Sequence, residues 1–162
     1  MFANPDSARH LLRHTLATLA YRGGKTIRDA PASFSAYAAR EDTRRPGQIL
    51  AHIGDLMDWA LAIAEGHEHW HDSKPLPWDR EVARFFETLA RLDAYLSSNG
   101  PLAAPPEKLF QGPIADALTH VGQLAMLRRM AGLPMRGENY FVADIAVGRI
   151  GSEQARPKRE FD

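Results

Sequence analysis

Apolar residues in this chain recur at helical spacing in four separate stretches, and no stretch alternates apolar and polar residues as a half-buried strand does. That pattern leaves one route to a core, the apolar stripes of helices packed against one another. The clearest stripe is Ile49, Ile53, Leu56, Ala60 and Ile63. It follows Pro46, a residue tolerated in a first helical turn, and ends near Gly66. An earlier stripe of Leu12, Leu16 and Leu19 sets a helix from about Ser7 to a stop at Gly23-Gly24. A third helix is predicted from Trp78 to Ser97 on Val82, Phe85, Phe86, Leu89, Leu92 and Leu96, with Asn99-Gly100-Pro101 as its stop. The fourth runs from Pro113 to Ala131, opened by Gly112-Pro113 and closed by Gly132-Leu133-Pro134.

Between the first two helices, Lys25 to Arg45 reads as a long connection with a short helical turn. Loops of that length often border functional sites. Glu138 to Ala146 reads as a short extra helix packed on the others. The expected architecture is all-α: a four-helix bundle with long crossover connections over residues 1–150, followed by a tail at 151–162.

With 162 residues the chain suits one domain with a real core. Twenty basic residues balance twenty acidic ones, which favours neither nucleic acid nor an anionic membrane as partner. The cluster Arg156-Pro157-Lys158-Arg159 is too short to change that and reads as solvated. Met1 to Ser7 lacks a basic region followed by an apolar run, and no stretch approaches the ~20 apolar residues of a membrane span. A cytoplasmic protein without a signal peptide is expected. Cysteine is absent, so disulfides, zinc-thiolate sites and a cysteine nucleophile are excluded.

Three histidine groupings compete as metal sites. His10 and His14 have a ligating spacing, but Arg9 and Arg13 flank them while Leu12 and Leu16 mark another side, so they read as a solvated or half-buried face. His67, His69 and His71 follow Gly66 at a helix end, where imidazoles are favoured by the helix dipole; adventitious binding or no role is expected of them. The third grouping is His52 with Asp116 and His120. Asp116 and His120 are four residues apart and share one side of a helix. His52 shares its side with Ile49 and Leu56 and so looks inward. Taken alone, these three residues fit a core hydrogen-bond network as well as a metal site. His52 and His67 lie fifteen residues apart, more than about 20 Å along one helix, so His52 needs partners from another helix.

The patterns His52-Ile53-x-x-Leu56-x-x-Trp59, His120-Val121-Gly122-Gln123-Leu124 and Leu127-Arg128-Arg129-x-Ala131-Gly132-x-Pro134 resemble the DinB-like (YfiT-like) putative metalloenzyme superfamily over roughly residues 8–148. The resemblance implies a four-helix bundle, often dimeric, whose usual ligands are one histidine on the second helix and a His-x-x-x-His pair on the fourth. His52 and His120 take two of those positions, and Asp116 stands where histidine is usual. Two histidines and a carboxylate suit zinc, nickel, iron or manganese. Related branches resemble thiol transferases acting with mycothiol, bacillithiol or glutathione. The implied function is therefore a divalent-metal-dependent enzyme, a hydrolase or thiol S-transferase, that activates water or a low-molecular-weight thiol at that ion. With no cysteine of its own, the chain would take the thiol as a small-molecule cosubstrate. The alternative is a non-catalytic, dimeric metal- or ligand-binding bundle associated with stress, which Asp116 favours.

Around these ligands, Gln123 is the catalytic candidate: it either orients water or substrate or caps a polar patch. Asp55 either accepts the N–H of His52 or is solvated. Trp59 and Tyr140 read as packing residues that also suit a pocket wall, and Glu138-Asn139 as a segment folding back over the bundle end. Arg128-Arg129 either meets an anionic substrate or pairs with acidic neighbours.

Overall fold

The computed structural model describes residues 5–161, so the leader reading of Met1 to Ser7 falls largely outside it. It is helical: α1 (Pro5–Ile27), α2 (Pro46–Glu65), α3 (Trp78–Ser97), α4 (Pro106–Leu109) and α5 (Ala115–Met130). A π turn at Phe110–Ile114 joins α4 to α5, and single 3-10 turns occur at Ala32–Ala36 and Tyr140–Val142. Among the described residues there is no β-strand, only an isolated bridge between Glu138 and Glu160. Among the described residues no helix is long and apolar enough to cross a membrane.

The long helices touch in a ring: α1 lies against α3 and α5, and α2 lies against the same two. Their stripes meet in one core around Leu16, Leu19, Ile53, Met57, Leu89, Leu92 and Leu124, all fully buried. The bounds of α2 and α3 match the expected ones. Gln48 accepts the backbone N–H of Arg45 at the start of α2 (2.9 Å), and Gly66 ends it in the left-handed conformation (φ 85°), which glycine adopts without steric cost.

Two boundaries differ. α1 does not stop at Gly23-Gly24 but continues to Ile27. Glycine is used there for close approach: a Cβ on Gly23 would lie 2.5 Å from Cζ of Phe85 on α3. Carbonyls at the end of α1 are met by Arg128 of α5, whose Nη1 donates to Thr26 O (3.0 Å), Arg28 O (2.7 Å) and, more weakly, Lys25 O (3.4 Å). The second difference is at Gly112-Pro113, which does not start a helix. The rod begins at Pro106 and carries Pro113 through the π turn. Proline lacks an N–H and its ring collides with the carbonyl four residues back; a wider turn relieves both problems.

The expected helix over Glu138 to Ala146 shrinks to the turn at Tyr140–Val142, which Asn139 caps by accepting the Phe141 N–H (3.1 Å). Glu138 does fold back. Its buried carboxylate accepts from the Tyr21 hydroxyl (2.5 Å) and from Lys25 (2.7 Å), and Lys25 also meets Glu160 (2.8 Å). Burial pulls the Lys25 ammonium down, but the two glutamates outweigh it and leave it raised. Arg156, Lys158 and Arg159 are exposed, yet the chain beside them is anchored: Asn139 donates to Arg159 O (3.0 Å) and Phe161 to Gly137 O (2.8 Å).

Gly23→Ala is expected to destabilise the fold by about 1–3 kcal/mol through overpacking against Phe85, although alanine is the better helix former. The control is Gly24→Ala, whose Cβ would meet Phe86 at an ordinary 3.5 Å and should be neutral or stabilising. Urea midpoints compare the two, and equal stability of the variants would contradict the close-approach account.

Candidate metal centre

His52 is presented by the wide buried face of α2, and His120 by the inner side of α5, where it is 8 % exposed. Asp116 sits one turn before His120 with its side chain half exposed. The π turn adds a residue just before α5 and so sets the rotation of the helix that carries both groups. Asp116 offers one oxygen to each imidazole: Oδ2 lies 3.6 Å from Nε2 of His52, and Oδ1 lies 3.4 Å from Nε2 of His120. The three donor atoms all lie within 4.8 Å of one another.

These separations exceed the usual N–H···O range of about 2.7–3.2 Å. They approach the spacing of two ligands on one tetrahedral ion, roughly 3.3–3.4 Å for bonds of about 2.0–2.1 Å. The donor set could therefore hold a metal ion.

The outer nitrogen of His120 is also engaged, with Nδ1 2.9 Å from Oε1 of Gln123. An amide oxygen only accepts, so His120 donates from Nδ1, and Nε2 keeps its lone pair for a cation. Gln123 thus touches the ligand, and its role is to fix the ring. Burial holds the His52 imidazole below its ordinary range, helped by His120 and Arg44 and opposed by Asp116. The neutral ring is the ligating form.

A segment expected to be idle covers this site. After Gly66 the chain reverses and brings Trp70 edge-on to His52, with ring centroids 5.6 Å apart, and against Trp59 at 5.7 Å. Glu68 accepts the Trp59 indole N–H (3.1 Å). His71 then sits between two carboxylates, with Nδ1 3.2 Å from Asp55 and Nε2 3.5 Å from Asp58. Of this tract, His69 is exposed and His67 pairs with Glu65 at 2.7 Å.

Asp55 neither serves His52 nor is solvated. It is 2 % exposed and accepts from Arg84 (2.5 Å) and from the Ser73 N–H (2.8 Å). Gly54 explains the approach, since a Cβ there would lie 2.9 Å from the guanidinium carbon of Arg84. Asp55, Asp58 and His71 could geometrically hold an ion too. However, Arg84 and Arg91 already neutralise both carboxylates, so this cluster serves to pin the covering segment. No sequence signal announced it, because its members come from three distant stretches.

The remaining candidates lie elsewhere. His10 and His14 are exposed, as expected. Arg128 is spent on the end of α1, and Arg129 donates to the carbonyls of Met135 and Ala125. Tyr140 packs edge-on to Tyr21 under the guanidinium of Arg22. Two cavities flank the ligands along the α2–α5 groove. One of about 460 Å³ is lined by Trp59, Gln111, Asp116 and Thr119, and one of about 370 Å³ by Arg44, Ile49, Gln123, Met126 and Met130.

No family model, curated protein or solved structure matches the chain.

Gln123→Leu is expected to weaken zinc binding about 10–100-fold with helical content intact, while Gln123→Glu, which keeps an acceptor, retains affinity. Competition titration with a chromogenic chelator measures this, and unchanged affinity in the leucine variant would remove Gln123 from the site. A second expectation concerns the metal-free protein. His52 is depressed when folded, so the unfolded chain binds the proton more readily, and stability falls as pH drops through about 6.5. That part of the acid destabilisation should vanish in His52→Gln, as followed by thermal melts between pH 8 and pH 5.

Proposed function

We propose that the protein is a divalent-metal-dependent enzyme built on a four-helix bundle, which activates water or a low-molecular-weight thiol for attack on a small electrophilic substrate. The observation that carries this reading is the convergence of His52, Asp116 and His120 at ligand-like separations, from two helices that meet only in the fold. A bound cation of this type supplies a Lewis acid that makes water or a thiol nucleophilic near neutral pH.

The chain's own groups have separable tasks. His52 and His120 hold the cation through Nε2, and Asp116 supplies charge from its half-exposed position at the groove. Gln123 is a positioning residue acting through His120. Trp70 and Trp59 restrict water on the α2 side, which strengthens electrostatics inside. With no cysteine in the chain, a thiol nucleophile enters from solution. The DinB-like resemblance agrees with this arrangement, Asp116 replacing the histidine usual in that family. That replacement also favours a second reading, a bundle that binds metal without turnover.

The test begins with elemental analysis of untagged protein. Wild type is expected to retain close to one divalent ion per chain, and His52→Ala and His120→Ala to lose it while staying helical. Equal metal content in all three would refute the site. Metal-loaded protein is then offered glutathione, bacillithiol or mycothiol with electrophiles, beside ester and amide substrates. Turnover abolished by His120→Ala supports the enzyme, and metal retention without turnover on any of them supports the binding protein.

A further inference from the structure

The cavity of about 370 Å³ lies one helical turn beyond each histidine. Ile49 precedes His52 by three residues and Gln123 follows His120 by three, and both line the same space. Its floor is hydrocarbon: Ile49 and Leu127 are buried, while Met126 and Met130 stand 57 % and 53 % exposed along the wall. Two methionines left in water at a cavity mouth form an adaptable apolar surface. The rim carries Arg40 and Arg44, and no acidic residue lines the cavity.

The rim is also held in place. Thr43 accepts the Arg40 N–H (3.2 Å) and donates to Arg40 O (2.9 Å), closing a turn between the two arginines. Arg45 donates to Ala36 O (2.7 Å) and ties the same loop to the 3-10 turn before α2. The Arg40 guanidinium pairs with Asp42 at 3.5 Å, with both side chains about four-fifths exposed, so solvent screens the pair. Arg44 forms no ion pair among the described residues, although its charge is felt at His52. An unneutralised guanidinium on the rim of a cavity with a hydrocarbon floor is complementary to an anion with an apolar body.

We propose that this cavity binds the substrate through an anionic head and a hydrocarbon tail, a monocarboxylate with an apolar chain being the simplest such molecule. The carboxylate pairs with Arg44, and the chain lies on Met126 and Met130 over Ile49. The inference rests on the metal-site reading only in calling the occupant a substrate; the cavity itself consists of protein groups. It assigns the cavity beside Trp59 and Thr119, which the Asp116 carboxylate itself lines, no part in anion binding.

The test uses calorimetric titration of full-length protein with octanoate, octylamine and 1-octanol, each with metal-free and zinc-loaded samples. Octanoate is expected to bind both samples and to bind more tightly than the amine or the alcohol. Arg44→Gln should weaken octanoate binding by about tenfold or more, the loss of one charge-assisted contact, and Arg44→Lys should restore part of it. Thr119→Trp, which fills the other cavity, should leave octanoate binding unchanged. The proposal is overturned if the three ligands bind alike, or if Arg44→Gln has no effect. It is equally overturned if octanoate binds only the zinc-loaded protein, because the carboxylate would then be a simple metal ligand. Arg44-dependent binding to metal-free protein supports the cavity even where the metal reading has failed, which keeps the two failures apart.

Discussion

Asp116 directs its two carboxylate oxygens at imidazoles from two different helices, and the functional account depends on that one bridging group. The two imidazole rings lie only 4.7 Å apart, and burial, helped by the neighbouring His120, holds the His52 imidazole below its ordinary range. The carboxylate supplies negative charge between the two rings, and the three groups together could hold a metal ion. Asp116 is also the most exposed of the three, so the same residue that balances the charge remains open to the groove.

The surrounding structure is organised to hold that geometry. The π turn at Phe110–Ile114 keeps Pro113 inside the rod and fixes the rotation of α5, and hence the direction of Asp116 and His120. Gly23 lets α1 close on Phe85, and Arg128 joins the end of α1 to α5, so three of the long helices are locked by contacts remote from the ligands. Gly54 lets Arg84 cross α2 to reach Asp55 and Asp58, the same carboxylates that capture His71. Through that chain of charges Trp70 is held over His52. Removing the network would leave the ligands in place but uncover them.

Much of this was legible in the sequence because local signals carried it. The period of Ile49, Ile53, Leu56 and Ala60 gave α2 with its ends, and the bounds of α3 followed from its stripe and the following Asn99-Gly100-Pro101. The inward phase of His52 and His120 was readable for the same reason, whereas Asp116, read as inward from its spacing to His120, stands exposed at the groove. Glycine and proline misled where their use was tertiary. Gly23-Gly24 read as a stop because nothing local announces Phe85, and Pro113 read as a start because a π turn has no simple local signature. The roles of His71, Asp55 and Arg128 were hidden for a related reason: each is defined by partners 13 to 103 residues away. The approach of Trp70 to His52 required knowing that the chain reverses after Gly66, where the sequence marks a helix end but not the direction that follows.

The most direct test of the shared donor site is anomalous scattering from crystals grown without chelators. The account requires a single strong peak between α2 and α5, about 2.0–2.2 Å from Nε2 of His52, Nε2 of His120 and an oxygen of Asp116. A peak among Asp55, Asp58 and His71 instead, or none at the His52–Asp116–His120 position after zinc is supplied, would contradict it.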